Sequence, residues 1–255
     1  MNCRSGFQRM TSFVVVIPAR YSSERLPGKP LREIAGKTML QHVYERGKES
    51  DATEVMIATD DQRIFDAALE FGASAHMTAS HHRSGTERLA EVSELQDWPD
   101  DQIVINLQGD EPMMPAELIN QCASLLDDDS VDMATLASPL ASNADYENPN
   151  VVKVVRDEDG NAIYFSRSAI PFSRNQKTDE LAVQTAMHHH GIYAYRCGTL
   201  KKIVAAERSD LEACEQLEQL RALSIGLRIR VATALSRPPA GVDTEEDLAE
   251  VESLL

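Results

Sequence analysis

Residues 13–31 read FVVVIPARYSSERLPGKPL, and this stretch decides the fold. Its opening FVVVI is apolar and mostly β-branched, as in a strand buried on both faces. Pro18, Pro27 and Pro30 then fix φ and withdraw backbone donors, so residues 18–30 form neither an ordinary helix nor an ordinary strand. Arg20, Arg25 and Lys29 are set along this stiffened loop. Cations held on a rigid loop suit an anion. The pair Gly28-Lys29 is not part of a Walker A site, because Pro30 stands where Ser or Thr would meet magnesium and Ser23 occupies the first glycine position. GxGxxG is absent too. The alternative is a surface turn with its charges in water.

Outward from this loop, strand and helix patterns alternate. TMLQHVYERGKES (38–50) reads as a helix, EVMIAT (54–59) as a strand, and DQRIFDAALEFG (61–72) as a helix closed by glycine. GTERLAEVSEL (85–95) is helical, QIVINL (102–107) a buried strand, and PAELINQCASLLD (115–127) a helix opening with proline. This order implies a largely parallel sheet covered by helices on both faces. Ligand sites then lie at the carboxyl ends of the strands, where the opening loop and the loop after Leu107 both fall.

From about residue 130 the pattern turns to strands: VDMATLASPL, NVVKVVRDEDGNAIYFSR and HHHGIYAYR, with Asp159-Gly160 as a hairpin turn. Helices are expected around 198–207 and 211–225, then the strand RIRVATA (228–234) and a last helix from 244. These later strands extend or lid the first sheet.

The chain of 255 residues can bury a sizeable core. With 41 acidic against 25 basic residues its formal charge is −16, which argues against nucleic-acid binding and confines any anion to a local basic cleft. No apolar run approaches a membrane span. Cys3, Cys122, Cys197 and Cys214 form no CxxC pair, the pattern of a reducing compartment. Residues 1–11 read as a leader outside the fold, with Met10 an alternative start.

Five further segments carry candidate chemistry. In INLQGDEPMM, Asp110 follows a buried strand and Gly109, where a carboxylate either caps a turn or holds a hard divalent cation. In HHRSGTERL, Ser84 and Thr86 either cap the next helix or, with the amides around Gly85, read a nucleobase edge. In HHHGIYAYR, strand geometry turns His188 and His190 away from His189 and argues against a metal cluster. His189, Gly191, Tyr193 and Tyr195 share a face, which reads as a sugar-binding wall or as a satisfied core face. In CEQLEQLRAL, Glu218 would share a helical stripe with Cys214 and Ala222, to accept substrate hydroxyls beside Gln219 or to pair with Arg221. In GVDTEEDLAEV, Asp243 is an N-cap or a metal ligand.

Taken together, IPARYSSERLPGKPL, ATDD, SGTERL, NLQGDEP, NPNVVKVV, YFSR, HHHGIYAYR, LEQLR and GVDTEEDL stand in the order of the 3-deoxy-manno-octulosonate cytidylyltransferases. The chain resembles this family from about Ser12 to its C-terminus. The resemblance implies an α/β fold, the three-layer α/β/α nucleotide-diphospho-sugar transferase type with a mainly parallel sheet. It implies one domain over 12–255, with a sugar-binding and dimerisation part around 130–225. The activity implied is transfer of CMP from CTP to the anomeric hydroxyl of 3-deoxy-D-manno-octulosonate (Kdo). The products are pyrophosphate and CMP-Kdo for lipopolysaccharide biosynthesis, made by a cytoplasmic homodimer with Mg2+.

By the same resemblance Arg20, Lys29, Asp110 and Asp243 are catalytic, and Asp110 and Asp243 hold the metal. Pro18, Ala19, Arg20, Lys29, Ser84, Gly85, Thr86, Arg88 and Gln108 bind the nucleotide. Arg25, Gln108, Arg167, His189, Tyr193, Glu218 and Gln219 bind the sugar acid. The chain departs from the family in His190, in Glu24 before Arg25 and in its leader. The choice among Kdo, 8-amino-Kdo and sialic acid stays open at this point. A catalytically silent CTP-binding regulator is the rival of a different class, against which the joint presence of Lys29, Asp110 and Asp243 argues.

Overall fold

The computed structural model describes residues 12–22 and 25–255; the leader, with Cys3 and Met10, and Glu24 lie outside the described residues. The first half runs β1 (Phe13–Ala19), β2 (Glu33–Ile34), β3 (Lys37–Thr38), α1 (Met39–Lys48), β4 (Glu54–Thr59), α2 (Gln62–Glu70), β5 (Ser74–Met77), α3 (Gly85–Leu95), β6 (Ile103–Asn106) and α4 (Ala116–Ser124). The second adds β7 (Met133–Pro139), α5 (Asn143–Glu147), β8 (Lys153–Arg156), β9 (Ala162–Ser166), α6 (Asp179–Thr185), β10 (Met187–Arg196) and α7 (Cys197–Ala205). It ends with α8 (Asp210–Glu215), α9 (Gln219–Ser224), β11 (Ile229–Thr233) and α10 (Glu245–Leu254).

Among the described residues one sheet runs in the order β11-β7-β10-β6-β1-β4-β5, and β8 and β9 extend it from β10. Strand β1 lies parallel to both β4 and β6, and β11 lies parallel to β7. Only β10, inserted between β6 and β7, runs against its neighbours in that row. The strands of the second half thus continue the first sheet.

Residues of β1 alternate between two cores, which explains its unbroken apolar run. Phe13, Val15 and Ile17 pack with Leu40, Ile64 and Leu118 of α1, α2 and α4. Val14 and Val16 pack with Leu89, Leu200 and Leu220 of α3, α7 and α9. Burying such side chains on both faces contributes about 1.5–3 kcal/mol each and fixes the central register.

A third, smaller core positions the chemistry. Leu26 of the opening loop, Ile34 and Met39 are buried against Val242, Leu248 and Val251 at the C-terminus. Arg32 adds two hydrogen bonds, of 2.6 and 2.8 Å, to the carboxylate of Glu245. The segment before α10 therefore lies on the opening loop although the two are far apart in sequence.

Two departures from the sequence reading have clear causes. The edge strand β5 and the short α5 and α6 carry no marked apolar period and went unread; β5 has no buried residue. The helix expected over 211–225 is broken: Gln216 takes the left-handed region at φ 54 and separates α8 from α9. Residues nine apart fall on opposite sides of a continuous helix. The break instead lets Arg221 donate two hydrogen bonds, 2.8 and 2.7 Å, to Glu212. Glu218 consequently shares no helical stripe with Cys214, and Arg221 takes Glu212 as its bonded partner.

Both members of this pair are buried, Glu212 at 5% and Arg221 at 7% exposure. Removing one strands the other charge, at a cost of about 3–5 kcal/mol. Glu212→Ala should therefore lose about 3 kcal/mol in urea denaturation, and a loss under about 1 kcal/mol would contradict the pairing as a structural clamp.

Candidate active site

Strands β1 and β6 end side by side and parallel, so the loops leaving their carboxyl ends open on one edge of the sheet. They come close enough that a β-carbon on Gly109 would sit 2.9 Å from the Pro18 carbonyl oxygen. Only glycine allows this approach. Between these loops and the start of α3 lies a polar cleft of ≈610 Å³.

Most of the residues expected to bind nucleotide meet here. Pro18, Ala19, Arg20 and Lys29 line the cleft from the first loop. Ser84, Gly85 and Arg88 line it from α3, and Gln108 and Asp110 from the loop after β6. Thr86 lies just behind, in an adjoining cavity. Ser84 is the N-cap of α3 and accepts from the Glu87 amide, so the capping reading holds for Ser84. Arg88 is nearly buried, donates to Thr78 and lies 3.3 Å from Asp60.

The first loop is held by its own side chains. Gly28 has φ +67, and a β-carbon there would meet the Tyr21 ring at 3.1 Å. The Arg63 guanidinium lies 3.3 Å from the centroid of that ring, a cation–π contact that holds it in place. Pro30 sits inside a single 3-10 turn, Lys29–Leu31.

That turn aims Lys29 inward. Its Nζ donates to Asp110 Oδ2 at 2.8 Å, to the Val242 carbonyl at 2.8 Å and to Asp243 Oδ1 at 2.9 Å. Burial works to lower the ammonium's pKa, but the two facing carboxylates outweigh it and raise it above the ordinary lysine value. Lys29 thus stays charged. Asp243 does not cap α10: Thr244 does, in a capping box with Asp247, which leaves the Asp243 carboxylate to Lys29 and to Arg25 at 3.0 Å.

Three oxygens, two of them carboxylate, therefore surround one positive centre. Such a hard oxygen set fits magnesium, which takes one or two carboxylates and completes its shell with water and phosphate. Asp110 and Asp243 are the residues that would hold it.

The residues expected on the sugar side divide. Tyr193, Glu218 and Gln219 line the cavity behind Thr86, and Gln108 faces both that cavity and the cleft. Arg25 lines the polar cleft instead. Glu218 accepts from Ser84 Oγ and, at 2.9 Å, from Thr86 Oγ1. Burial raises its pKa above the ordinary carboxylate value, against the lowering effect of those two hydroxyls.

Arg167 and His189 line neither space. The Arg167 guanidinium is bound to the carbonyls of Glu215 and Pro149. His189 is buried, hydrogen-bonded to Thr135 and edge-on to Phe165. The expected face is nevertheless present: His189 contacts Tyr193, and Tyr193 contacts Tyr195. A bulge between His190 and Tyr193 adds two residues opposite β7 and so preserves the alternation. His188 and His190 pair on the other face, and the described residues contain no group of three or more His, Cys, Asp or Glu side chains placed to hold a metal ion.

Sequence reasoning missed Ser22, His82 and Arg83, which also line the cleft. Arg83 was legible as a cation immediately before the cap Ser84. Glu111, which follows Asp110 in the same loop, was given no role; burial, then the charge of Asp110, push its carboxyl up to about 8.

The histidine strand has a consequence for acid stability. Burial, then the neighbouring His188, drive His190 down to about 3, and burial holds His189 well below its ordinary value. The folded chain keeps these rings neutral while the unfolded chain protonates them below about pH 6.5. Stability should thus be full above that pH and fall on acidification, by about 2 kcal/mol at pH 5 from His190. In urea unfolding at pH 7 and 5, His190→Gln should flatten this fall; an unchanged pH dependence would refute it.

This geometry can be set beside known proteins. The family model described as cytidylyltransferase matches residues 14–229. The 3-deoxy-manno-octulosonate cytidylyltransferase of Vibrio vulnificus is 52% identical over 96% of this chain and 98% of its own length. The 3-deoxy-manno-octulosonate cytidylyltransferase 1 of Actinobacillus pleuropneumoniae is 49% identical over 96% and 99%. The structure of CMP:2-keto-3-deoxy-manno-octonic acid synthetase complexed with CTP superposes with a TM-score of 0.87 at 43% identity, covering 95% of this chain and 98% of that one. The fold is accordingly the three-layer α/β/α nucleotidyltransferase type. With its sheet, its basic loop and near-complete coverage in agreement, the chain belongs to the cytidylyltransferases, among the 3-deoxy-manno-octulosonate cytidylyltransferases.

Proposed function

We propose that the cleft is where CMP passes from CTP to the anomeric hydroxyl of Kdo, with release of pyrophosphate. One observation carries this reading: a chain of net charge −16 gathers Arg20, Lys29, Asp110, Asp243 and the start of α3 around one polar space. The relatives' names supply the substrates, and the cleft supplies groups that suit them.

In this reading the triphosphate lies against Arg20 and Lys29, and the α3 start from Ser84 to Arg88 faces cytosine and ribose. The sugar hydroxyl attacks the α-phosphorus in line. A new P–O bond forms as the bond to the β-phosphate oxygen breaks, and the hydroxyl proton passes to solvent water. Arg20 and Lys29 stabilise the charge that develops on the departing pyrophosphate. Asp110 and Asp243 would hold Mg2+, which would supply positive charge to neutralise phosphate oxygens and lower the pKa of the attacking hydroxyl. Gln108, Tyr193, Glu218 and Gln219 orient the sugar. Arg167 and His189 act on it from behind, through the elements they pin.

The remaining features are proposals of the same standing. A homodimer formed through the 130–225 part follows from the family resemblance, and Ile163, Phe172 and Leu181, 61%, 86% and 59% exposed, are available there. No helix among the described residues is long and apolar enough to cross a membrane. A cytoplasmic enzyme serving lipopolysaccharide synthesis accords with that and with the family.

The test is pyrophosphate release from CTP and Mg2+ with Kdo, 8-amino-Kdo or sialic acid, beside a no-sugar control. Release that requires Kdo is expected; release with none of the sugars would overturn the reading. A charge-assisted hydrogen bond felt only in the transition state contributes about 1.5–3 kcal/mol, or roughly 10- to 150-fold in rate. Lys29→Ala should slow turnover at least about tenfold with the fold intact, and Asp110→Asn should lose Mg2+-dependent activity. Full activity in either would remove that residue from the mechanism.

A further inference from the structure

The two hydroxyls assigned to the nucleotide are engaged elsewhere in this structure. Ser84 Oγ and Thr86 Oγ1 donate to the two carboxylate oxygens of Glu218, the group assigned to the sugar. A single carboxylate therefore stands between the two subsites. The spaces on its two sides differ greatly: the nucleotide cleft holds ≈610 Å³, whereas the cavity lined by Thr86, Asn106, Tyr193, Glu218 and Gln219 holds ≈20 Å³. The smaller figure is room for about one water. An octulosonate does not fit a space of that size, of which Glu218 forms one wall.

The walls of that cavity are ready for a polar guest. Asn106 Oδ1 and Gln219 Nε2 are buried and lack a hydrogen-bond partner among the described residues. An acceptor and a donor left this way are unfavourable until something satisfies them.

Glu218 can also move alone. It stands at the start of α9, whose position is set by other contacts: Arg221 is bonded twice to Glu212 of α8 and lies 3.9 Å from Glu87 of α3. None of these uses the Glu218 side chain. Its carboxylate can turn about its own χ angles while the helix stays in place.

We propose that Glu218 is a latch coupling the two substrates, held shut by Ser84 and Thr86 and released when the nucleotide engages Ser84, which lines the cleft. The released carboxylate then accepts from the sugar's hydroxyls. Nucleotide binds first and tightens the sugar; by linkage, the sugar tightens the nucleotide by the same factor. This inference rests on the reading that Ser84 faces the nucleotide and Glu218 the sugar.

The test is calorimetric binding of Kdo with and without saturating CMP, an unreactive nucleotide that carries the base and ribose. In the wild-type chain CMP should tighten Kdo at least about fivefold, and Kdo binding seen only with CMP present meets the same expectation. Thr86→Val keeps the side-chain shape but removes one donor. It should bind Kdo alone more tightly than the wild type and lose at least half of the coupling; Ser84→Ala gives the same reading should the first variant fold poorly. Equal Kdo affinity with and without CMP in the wild type, or undiminished coupling in both variants, would overturn the latch. Glu218→Gln separates the two claims. If it leaves Kdo affinity unchanged, the sugar assignment fails. If it weakens Kdo while CMP has no effect on the wild type, the coupling alone fails.

Discussion

The Lys29 ammonium, held at 2.8–2.9 Å from three oxygens, is the contact on which the site depends. It joins segments 81 and 214 positions away in sequence, the loop after β6 and the turn before α10. Asp110 and Asp243 would repel each other across this space without a cation between them. The contact forms because the small core around Leu26 and Val242 docks the C-terminus on the opening loop. An acidic chain thereby keeps a charged lysine in its polar cleft.

Placement of that core follows from the sheet. Parallel β1 and β6 send their loops to one edge, and the antiparallel β10 beside β6 carries Tyr193 and Tyr195 to the space behind it. The polar cleft and the cavity behind Thr86 are neighbours because β6 and β10 are neighbours, with Gln108 reaching both. Helix α3 closes the arrangement: its first turn faces the cleft on one side and Glu218 on the other.

How much of this was legible in the sequence depended on the range of the forces involved. The run FVVVI, the helix over 85–95 and the proline-stiffened loop are local patterns, and they stand where their residues placed them. Lys29, Asp110 and Asp243 were legible as chemistry, and the fold brings them together. The break at Gln216 was not legible, because it depends on the Arg221–Glu212 pair and on burial of Leu217, both non-local. The same holds for the carbonyls that hold Arg167 and the Thr135 hydroxyl bonded to His189; a motif names those residues without saying that they line neither cavity. Asp243 looked like a cap because it precedes a helix, yet Thr244 one residue later does the capping and leaves Asp243 to the cleft.

The central claim is that Lys29 and its loop recognise a triphosphate. Calorimetry of CTP, CDP and CMP in one buffer with Mg2+, on the wild-type chain and on Lys29→Met, tests it most directly. The account predicts affinity falling from CTP to CMP in the wild type, and that difference largely lost in Lys29→Met. CMP bound as tightly as CTP, or a variant that keeps the full preference, would contradict it.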